Sequence, residues 1–524
     1  MASTDTASLN DLLAAASRAM AAQKPTTAEQ ILKQAVAIAP DSAEAQRLLG
    51  VTQLMRGNSH AAIGYLRRAV ELNPDDFNVH ANLGSALFEC RQTDEALASM
   101  RRACELAPDE AAPWAWLNLG RALHGADLTG EARPVLVHAL TLDPSNVRTR
   151  MTLANVESTL GHTAEAAGLY RDVLKSRPDY ASAWFGLCDL KTTKLDDTEI
   201  QRVRQLLERH DLTSDDRALL GFTLAKSLED QGNLEASFHA LQAANAEKRR
   251  GTPWDIAEER QKVDDLITAF SSPLPPPLDP ALGSEIIFIA CLPRSGSTLV
   301  EHILASHSQV EGTNEIADLQ AILGRESARR QQPLSQWIPL ATAEDWHRLG
   351  QEYLKRTAPW RKIKPRSTDK HLSNWLLVGP ALAMLPGAHV VNTRRDPLET
   401  CFACYRQLFG DSAAFSYDFE SIAHYYAGYD RISRFWKKRY PERYRDHIYE
   451  NMLAGPESSI RGLLAFCELP FEPACLEFHQ TPRAVRTASA AQVRQPLQSD
   501  TARAARYGAW LDPLRNLLGQ LGIS

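Results

Sequence analysis

The hydrophobic pattern of the first third of the chain runs on two periods at once. Within short stretches the apolar residues fall at helical spacing. Over longer distances three markers repeat in one register. Leu49-Gly50 returns as Leu83-Gly84, Leu119-Gly120 and Leu153-Ala154. Ala62 returns as Ala96, Ala132 and Ala166, with glutamate before the last three. Pro40, Pro74, Pro108, Pro144 and Pro178 mark the same beat at intervals of 34, 34, 36 and 34 residues. This pattern predicts pairs of antiparallel helices. Small residues such as Gly84 and Ala96 let the two helices approach, and the proline stops the second helix and turns the chain into the next unit. One pair cannot bury its apolar face alone, so the pairs stack into a solenoid. The two-residue excess of the third interval lies near 110–113 and predicts a local bend.

Residues 195–250 continue as helices with a weaker beat, and Leu220 to Ala244 reads as a degenerate repeat capping the array. Ser271–Pro280 then holds five prolines in ten residues, which excludes helix and predicts a stiff, extended connection. The pattern changes beyond it. Ile286–Leu292 is a continuous apolar run, as in a strand buried on both faces. A helix follows from about Ser297 to Ser306. A second buried strand at His389–Thr393 runs into Arg394-Arg395-Asp396-Pro397 and a further helix through Phe409. Strand–turn–helix units of this kind predict a parallel sheet with ligands at its carboxyl edge. The expected organisation is a solenoid over 1–250, a proline-rich linker over 251–283 and an α/β domain over 284–524.

Composition excludes some classes of function. The 524 residues carry 58 Lys plus Arg against 64 Asp plus Glu, a net charge of -6, which gives no support for bulk nucleic-acid binding. Eight scattered cysteines form no framework, so reduced thiols in the cytoplasm are expected. Cys401 and Cys404 make a C-x-x-C inside a predicted helix, with no second ligand pair nearby, and no metal is expected. No apolar run is long enough to span a bilayer, so no membrane insertion is expected. The first 25 residues carry Asp5, Asp11 and Arg18 and read as a first helix, not as a secretion signal. The sequence leaves the oligomeric state open.

Candidate chemistry gathers at Pro293-Arg-Ser-Gly-Ser-Thr298, between the first strand and its helix. A helix start aimed out of a turn presents unpaired N–H groups and a favourable dipole to an anion, and Arg294 adds a forked cation. The spacing is not the G-x-x-x-x-G-K-[ST] loop of nucleotide triphosphatases. It resembles the 5′-phosphosulfate loop of sulfotransferases that use 3′-phosphoadenosine 5′-phosphosulfate (PAPS). Asn392-Thr-Arg-Arg-Asp-Pro397 resembles that superfamily's second signature, in which an arginine and a serine eight residues later hold the 3′-phosphate. Arg395 matches the arginine, and Ala403 stands where the serine would be. Arg394 or a helix N–H is the expected compensation. Within the superfamily the chain is similar to tyrosylprotein sulfotransferases. Glu315, 21 residues after Arg294, then falls at the catalytic base, Lys370 of Thr368-Asp-Lys370 at the catalytic lysine, and Tyr449 at a tyrosine near the donor. Ala491-Gln-Val-Arg-Gln-Pro496 resembles a late segment that closes on the donor, with Arg494 as its basic residue. The repeats resemble the tetratricopeptide repeat, and the whole resembles bacterial-type tetratricopeptide-repeat sulfotransferases.

The resemblance implies an all-α tetratricopeptide-repeat solenoid followed by a P-loop-like sulfotransferase fold. It implies PAPS as co-substrate, with backbone N–H groups of Ser295, Gly296, Ser297 and Thr298 on its 5′-phosphate. Arg294 and Lys370 would face the sulfonate and leaving oxygen, and Glu315 would take the proton of an acceptor hydroxyl. The acceptor would be a tyrosine of a protein or peptide held in the repeat groove. His302 and His307 are competing bases, although packing or a surface position is expected of His302 and a structural hydrogen bond of His307, and Asp369 would orient Lys370 or substrate. Arg486 to Arg506 reads as an arginine-rich lid. A small phenol or a sugar hydroxyl as acceptor, a phosphoryl-transferring kinase, and a non-catalytic scaffold are the alternatives.

Overall fold

The computed structural model describes residues 8–108, 112–481, 483, 493–497 and 502–523. Its contacts divide the chain into two compact units, Met1–Pro178 and Asp179–Ser524.

The first unit is built of helix pairs, from Leu9–Ala21 with Pro25–Ile38 to Val147–Leu160 with Thr163–Ser176. The three sequence markers have three separate physical jobs. A Cβ added at Gly50 would lie 2.6 Å from Leu66 Cγ, at Gly84 2.5 Å from Met100 Cγ, and at Gly120 2.5 Å from Leu136 Cγ. Glycine is therefore what lets each pair close. Ala62, Ala96, Ala132 and Ala166 are fully buried. Each repeat proline lies two residues past a helix end, at Ile38, Leu72, Leu106, Leu142 and Ser176. The extra residues of the third interval fall beside 109–111, outside the described residues. The helix after them opens with Pro113 at its first turn, where a missing N–H costs nothing.

The second unit starts earlier than the sequence pattern implies. The helices Ser214–Asp230, Leu234–Gly251 and Ile256–Ala269 share one hydrophobic core with the sheet's own helices. Phe270 stacks edge-on to Trp436 at 5.2 Å, and Phe238 lies 6.2 Å from Tyr507. Asn245 Nδ2 donates to the Tyr405 carbonyl at 3.0 Å. Gly221 packs against Ala244, where a Cβ would meet Cβ at 2.8 Å, so the hairpin is repeat-like in its crossing while its contacts lie with the sheet. Within the stretch expected to be linker, Asp255 caps the helix Ile256–Ala269 and Val263, Leu266 and Phe270 enter the core. Burying each such side chain contributes about 1.5–3 kcal/mol. The proline-rich Ser271–Pro280 itself carries no helix or strand.

Five parallel strands follow: β1 (Ile286–Cys291), β2 (Val310–Glu311), β3 (Arg366–Lys370), β4 (His389–Arg394) and β5 (Tyr444–Ile448), in the order β2-β3-β1-β4-β5. β1 is central, which is why all six of its residues are buried. From β1 the chain goes out to one side and returns to the other through β4. The carboxyl ends of β1 and β4 thus diverge at a topological switch point, where parallel sheets hold ligands. Among the described residues no helix is long and apolar enough to cross a membrane. None of the eight cysteines is in a disulfide.

The position of the boundary has a direct check. A fragment of residues 179–524 is expected to fold, with a cooperative thermal transition and near-ultraviolet dichroism. A fragment of 284–524 loses the partners of Trp436 and Tyr405 and is expected to show neither.

Candidate functional site

β1 ends at Cys291, and the chain turns through Pro293-Arg294-Ser295-Gly296 into the helix Ser297–Ala305. The turn needs two left-handed residues, Arg294 at φ +67° and Gly296 at φ +97°. Gly296 is required twice over, because a Cβ there would also lie 2.9 Å from Tyr449 Cδ2. A left-handed arginine costs on the order of 1 kcal/mol, and such strain collects at functional sites. The Ser295 hydroxyl donates to the Leu292 carbonyl at 2.7 Å and lies 2.7 Å from Thr393 Oγ1. Its N–H also turns back to Leu292, at 3.4 Å. Ser295 therefore holds the loop's shape and ties it to β4. Cys404 Sγ donates to the Pro293 carbonyl at 3.3 Å, and burial pushes this thiol up to about 12. One member of the C-x-x-C pair is thus an anchor of the turn. The first intrahelical bond runs from Val300 N–H to the Gly296 carbonyl, 3.1 Å. The amides before it are those that a helix start directs at an anion.

A cavity of about 180 Å³ opens at this turn. Arg294, Gly296, Ser297 and Thr298 line it from the turn, Arg395 from the end of β4, and Tyr449 from the end of β5. Arg395 lies over the Tyr449 ring at 5.0 Å and 3.3 Å from Glu399. Glu399 in turn accepts the N–H groups of Arg503 at 3.0 Å and Ala504 at 2.7 Å, which fixes part of the late segment beside the cavity. Val493, Gln495 and Pro496 complete the wall. Among the described residues the lining is cationic: Arg294, Arg395, Arg406 and Arg503 stand with one carboxylate, Glu399. Burial, with the fields of Arg406 and Arg395, holds the Arg294 guanidinium below its ordinary value. A bound anion would relieve that cost.

Besides Ser295, which is tied to Leu292 and Thr393 and is not in the lining, two further predicted donor residues are placed elsewhere. Arg394 pairs with Asp430 and lies 5.7 Å from the Tyr429 ring, outside the cavity lining. Successive residues of an extended chain point to opposite sides, so only Arg395 of the pair turns inward. Arg494 donates to the Arg483 carbonyl at 3.1 Å, and its neighbours Val493 and Gln495 line the cavity in its stead. Of the predicted lid, 486–492 and 498–501 lie outside the described residues.

A second group lies beside the helix start. Lys370 ends β3, pairs in register with Ile289 of β1, and is 1% exposed. It donates to Glu315 Oε1 at 2.8 Å, while the Glu315 side chain is 36% exposed. Burial alone would lower the Lys370 ammonium, but Glu301 and Glu315 outweigh it and hold it above its ordinary value. The Cys291 thiol is pushed up to about 11 by burial, with the nearby Lys370 ammonium opposing. The sequence reading missed Glu301, which is fully buried and accepts from Asn314 N–H at 2.9 Å and Thr368 Oγ1 at 3.0 Å. It thereby shapes the segment that carries Glu315. Its signal was a lone carboxylate among apolar residues of the helix Ser297–Ala305. Arg406 and Glu399 were also missed; Arg406 lies one turn after Ala403, itself in the cavity wall.

One expectation is corrected by contacts, and the two histidines take the packing and structural roles expected of them. Asp369 does not orient Lys370, because alternation along β3 sends it to the opposite face. There it accepts from Tyr353 Oη at 2.6 Å and Asn374 Nδ2 at 2.9 Å. His302 is fully buried against Phe478, and burial pushes it down to about 4, so it is neutral. His307 accepts the N–H of Gln309 at 3.1 Å and donates to the Pro470 carbonyl at 2.9 Å, a structural tie.

A parallel sheet with an arginine-lined helix start at its switch point is an α/β domain whose chemistry at the ends of β1 and β4 suits an anion. The comparisons narrow this class. Residues 286–473 match the model described as "Sulfotransferase family", and 19–86, 77–110 and 151–190 match tetratricopeptide-repeat models. The chain carries a sulfotransferase-family domain behind tetratricopeptide repeats. An uncharacterized protein of Aquifex aeolicus (strain VF5) is 30% identical over 414 residues, covering 76% of this chain and 53% of that protein. The chain thus spans about half the length of this curated relative. A tetratricopeptide repeat protein of Parabacteroides merdae ATCC 43184 is 17% identical, with 45% of this chain and 92% of that one covered and a TM-score of 0.35. For pilF of Pseudomonas aeruginosa the values are 24%, 39%, 92% and 0.32.

Asp369 gives a pH signature. Burial raises its carboxyl to about 6, above the unfolded value of about 3.9. Its protonation therefore stabilises the fold most below about pH 4, and this contribution is lost as pH rises through 6. The stability of Asp369→Asn relative to wild type is expected to improve by roughly 2 kcal/mol between pH 4 and pH 7, read from denaturant melts at both. A pH-independent difference would contradict the assignment.

Proposed function

We propose that the protein transfers a sulfuryl group from PAPS to a hydroxyl, with tyrosine of a protein or peptide as the acceptor class. The observation that carries this reading is the convergence of Arg294, Ser297, Thr298, Arg395 and Tyr449 on one cationic cavity, next to the buried Lys370–Glu315 pair. The sulfotransferase-family match over 286–473 supports the donor chemistry. The repeats support a protein partner, since stacked helix pairs present extended concave surfaces. Reduced thiols support a cytoplasmic setting.

The residues present suit the donor. Amides of Gly296, Ser297 and Thr298 and the guanidiniums of Arg294 and Arg395 would hold its phosphates, and Tyr449 offers an apolar face. Ser295 would contribute by fixing the turn. In the transfer, the bond between sulfur and the bridging oxygen of the phosphosulfate breaks as a bond from sulfur to the acceptor oxygen forms. Such transfers pass through loose, in-line transition states and need alignment and charge neutralisation more than covalent help. Lys370 is buried, with its ammonium held above its ordinary value by Glu301 and Glu315, which suits it to charge building on the leaving oxygen. Glu315 is accessible enough to accept the acceptor's proton. In the protein without substrate the two neutralise each other, so acceptor binding must separate them in part.

The test is transfer of labelled sulfate from PAPS to tyrosine peptides, with small phenols as the alternative acceptors. Glu315→Gln is expected to lower kcat by about 10²–10⁴ and Lys370→Met by about 10²–10³, with the donor's affinity changed less than about threefold. Full activity in both variants would overturn the assignment of base and cation. Turnover of phenols alone would overturn the peptide acceptor.

A further inference from the structure

A cavity of about 510 Å³ lies at the other edge of the sheet. Part of its wall comes from Leu382, Ala383 and Pro386, just before β4, and part from Arg439, Tyr440 and Arg443, just before β5. The proline-rich stretch from Ser271 to Leu282, just before β1, and Trp346 of the helix Ala343–Arg356 complete it. The strands are parallel, so these segments stand at their amino ends, opposite the turn that follows β1. A six-residue strand is about 20 Å long, and the cavity shares no lining residue with the one at the turn. Ser271 to Leu282 also lies outside the stretch matched by the sulfotransferase-family model. The volume is that of a small-molecule site, for which about 300–1,000 Å³ is usual.

Two features give the cavity its chemistry. The first is a backbone able to border apolar space. Pro273, Pro275, Pro276 and Pro277 line it. Proline has no N–H, so a strap rich in it forms an apolar wall with few donors left to satisfy. Leu274, Leu282, Trp346, Leu382 and Met384 extend that wall. The second feature is a cation set in it. Arg439 ends the helix Phe419–Arg439. Its Nη2 donates to the Ser272 carbonyl at 2.9 Å and its Nε to Tyr440 Oη at 3.4 Å, and the guanidinium lies 5.9 Å from the Phe270 ring centre. These contacts fix the guanidinium without neutralising it. Among the described residues no carboxylate stands within ion-pair distance of Arg439. Asp279, the lining's carboxylate, accepts the Ala281 N–H at 3.0 Å in its own turn. Arg443 lies 3.9 Å from Glu468 and donates to the Gly387 carbonyl at 3.4 Å. A helix end favours cations, and Lys437 and Lys438 already supply them there. The dipole does not explain a third cation held in the wall of an apolar cavity.

We infer that this cavity binds a small amphiphilic carboxylate, with its apolar body against the proline strap, Trp346 and Leu382 and its head group on Arg439, beside Arg443. A carboxylate matches the planar fork of a guanidinium. An apolar molecule without a charge would leave Arg439 unneutralised, and a small polar anion would leave the strap uncovered. The inference does not depend on the donor reading, because no residue of the site at the turn takes part.

Calorimetry on the full chain tests it, with decanoate and decan-1-ol titrated below their aggregation limits. Wild type is expected to bind decanoate at one site and to prefer it to decan-1-ol. Arg439→Gln is expected to weaken decanoate at least about tenfold and decan-1-ol less than about twofold. Ala383→Phe fills the cavity while keeping both arginines, and is expected to abolish binding of both. In wild type, hydrogen–deuterium exchange with decanoate is expected to show protection over 271–285 and 439–443, with 293–300 unchanged. Absence of decanoate binding, protection confined to other segments, or undiminished binding in a folded Ala383→Phe overturns the site. Equal affinity for decanoate and decan-1-ol, or a folded Arg439→Gln that binds decanoate as wild type does, overturns the carboxylate. Should neither variant fold, the wild-type preference and the exchange pattern decide.

Discussion

Positive charge held at the carboxyl ends of β1 and β4 is the constraint on which the rest of the site depends. Arginine cannot shed its proton, so a buried cluster of guanidiniums must be offset by partners or by a ligand. Here Glu399, Asp430 and Glu229 offset Arg395, Arg394 and Arg406. Arg294 sits in the combined field of Arg406 and Arg395. The turn that places it spends backbone strain at Arg294 and forbids any side chain at Gly296. Ser295, Cys404 and Thr393 hold that turn from behind. Under the proposed function, this arrangement would serve as a preorganised receptor for the donor's phosphates.

The parts of the fold that follow from periodicity were legible in the sequence. Glycine, alanine and proline markers at a 34-residue beat could only mean helices that cross closely and stop at fixed points, and Gly84 against Met100 is that crossing. β1 was legible as a continuous apolar run, and β4 as a short buried segment leading into Arg394-Arg395-Asp396-Pro397. The boundary was not. The helices from Ser214 to Ala269 carry apolar stripes of ordinary helical spacing, and a stripe does not say which neighbour it packs against. Phe238, Phe270 and Val263 pack with aromatic residues more than a hundred positions away. The five prolines are a real punctuation mark, but inside the unit and not between units.

In the site, sequence alone pointed to Arg294, Gly296, Ser297, Thr298, Arg395 and Tyr449, and all six line one cavity. It also pointed to Lys370 and Glu315, which meet at 2.8 Å. What sequence could not say was the direction of neighbouring side chains. Arg394 beside Arg395 and Asp369 beside Lys370 are each one residue from a site residue, and strand alternation sends them away from it. Charges that act through space from distant segments, such as Glu301 and Arg406, left only faint signals: a carboxylate in an apolar helix and an arginine one turn after the anomalous Ala403.

The central claim is that the amides at the start of the helix Ser297–Ala305 hold the donor's phosphate. Hydrogen–deuterium exchange over peptides spanning 293–300, with and without 3′-phosphoadenosine 5′-phosphate, tests it directly. The account predicts protection concentrated in this segment and around Arg395 and Tyr449. Nucleotide binding that protects other segments while leaving 293–300 unchanged would contradict it.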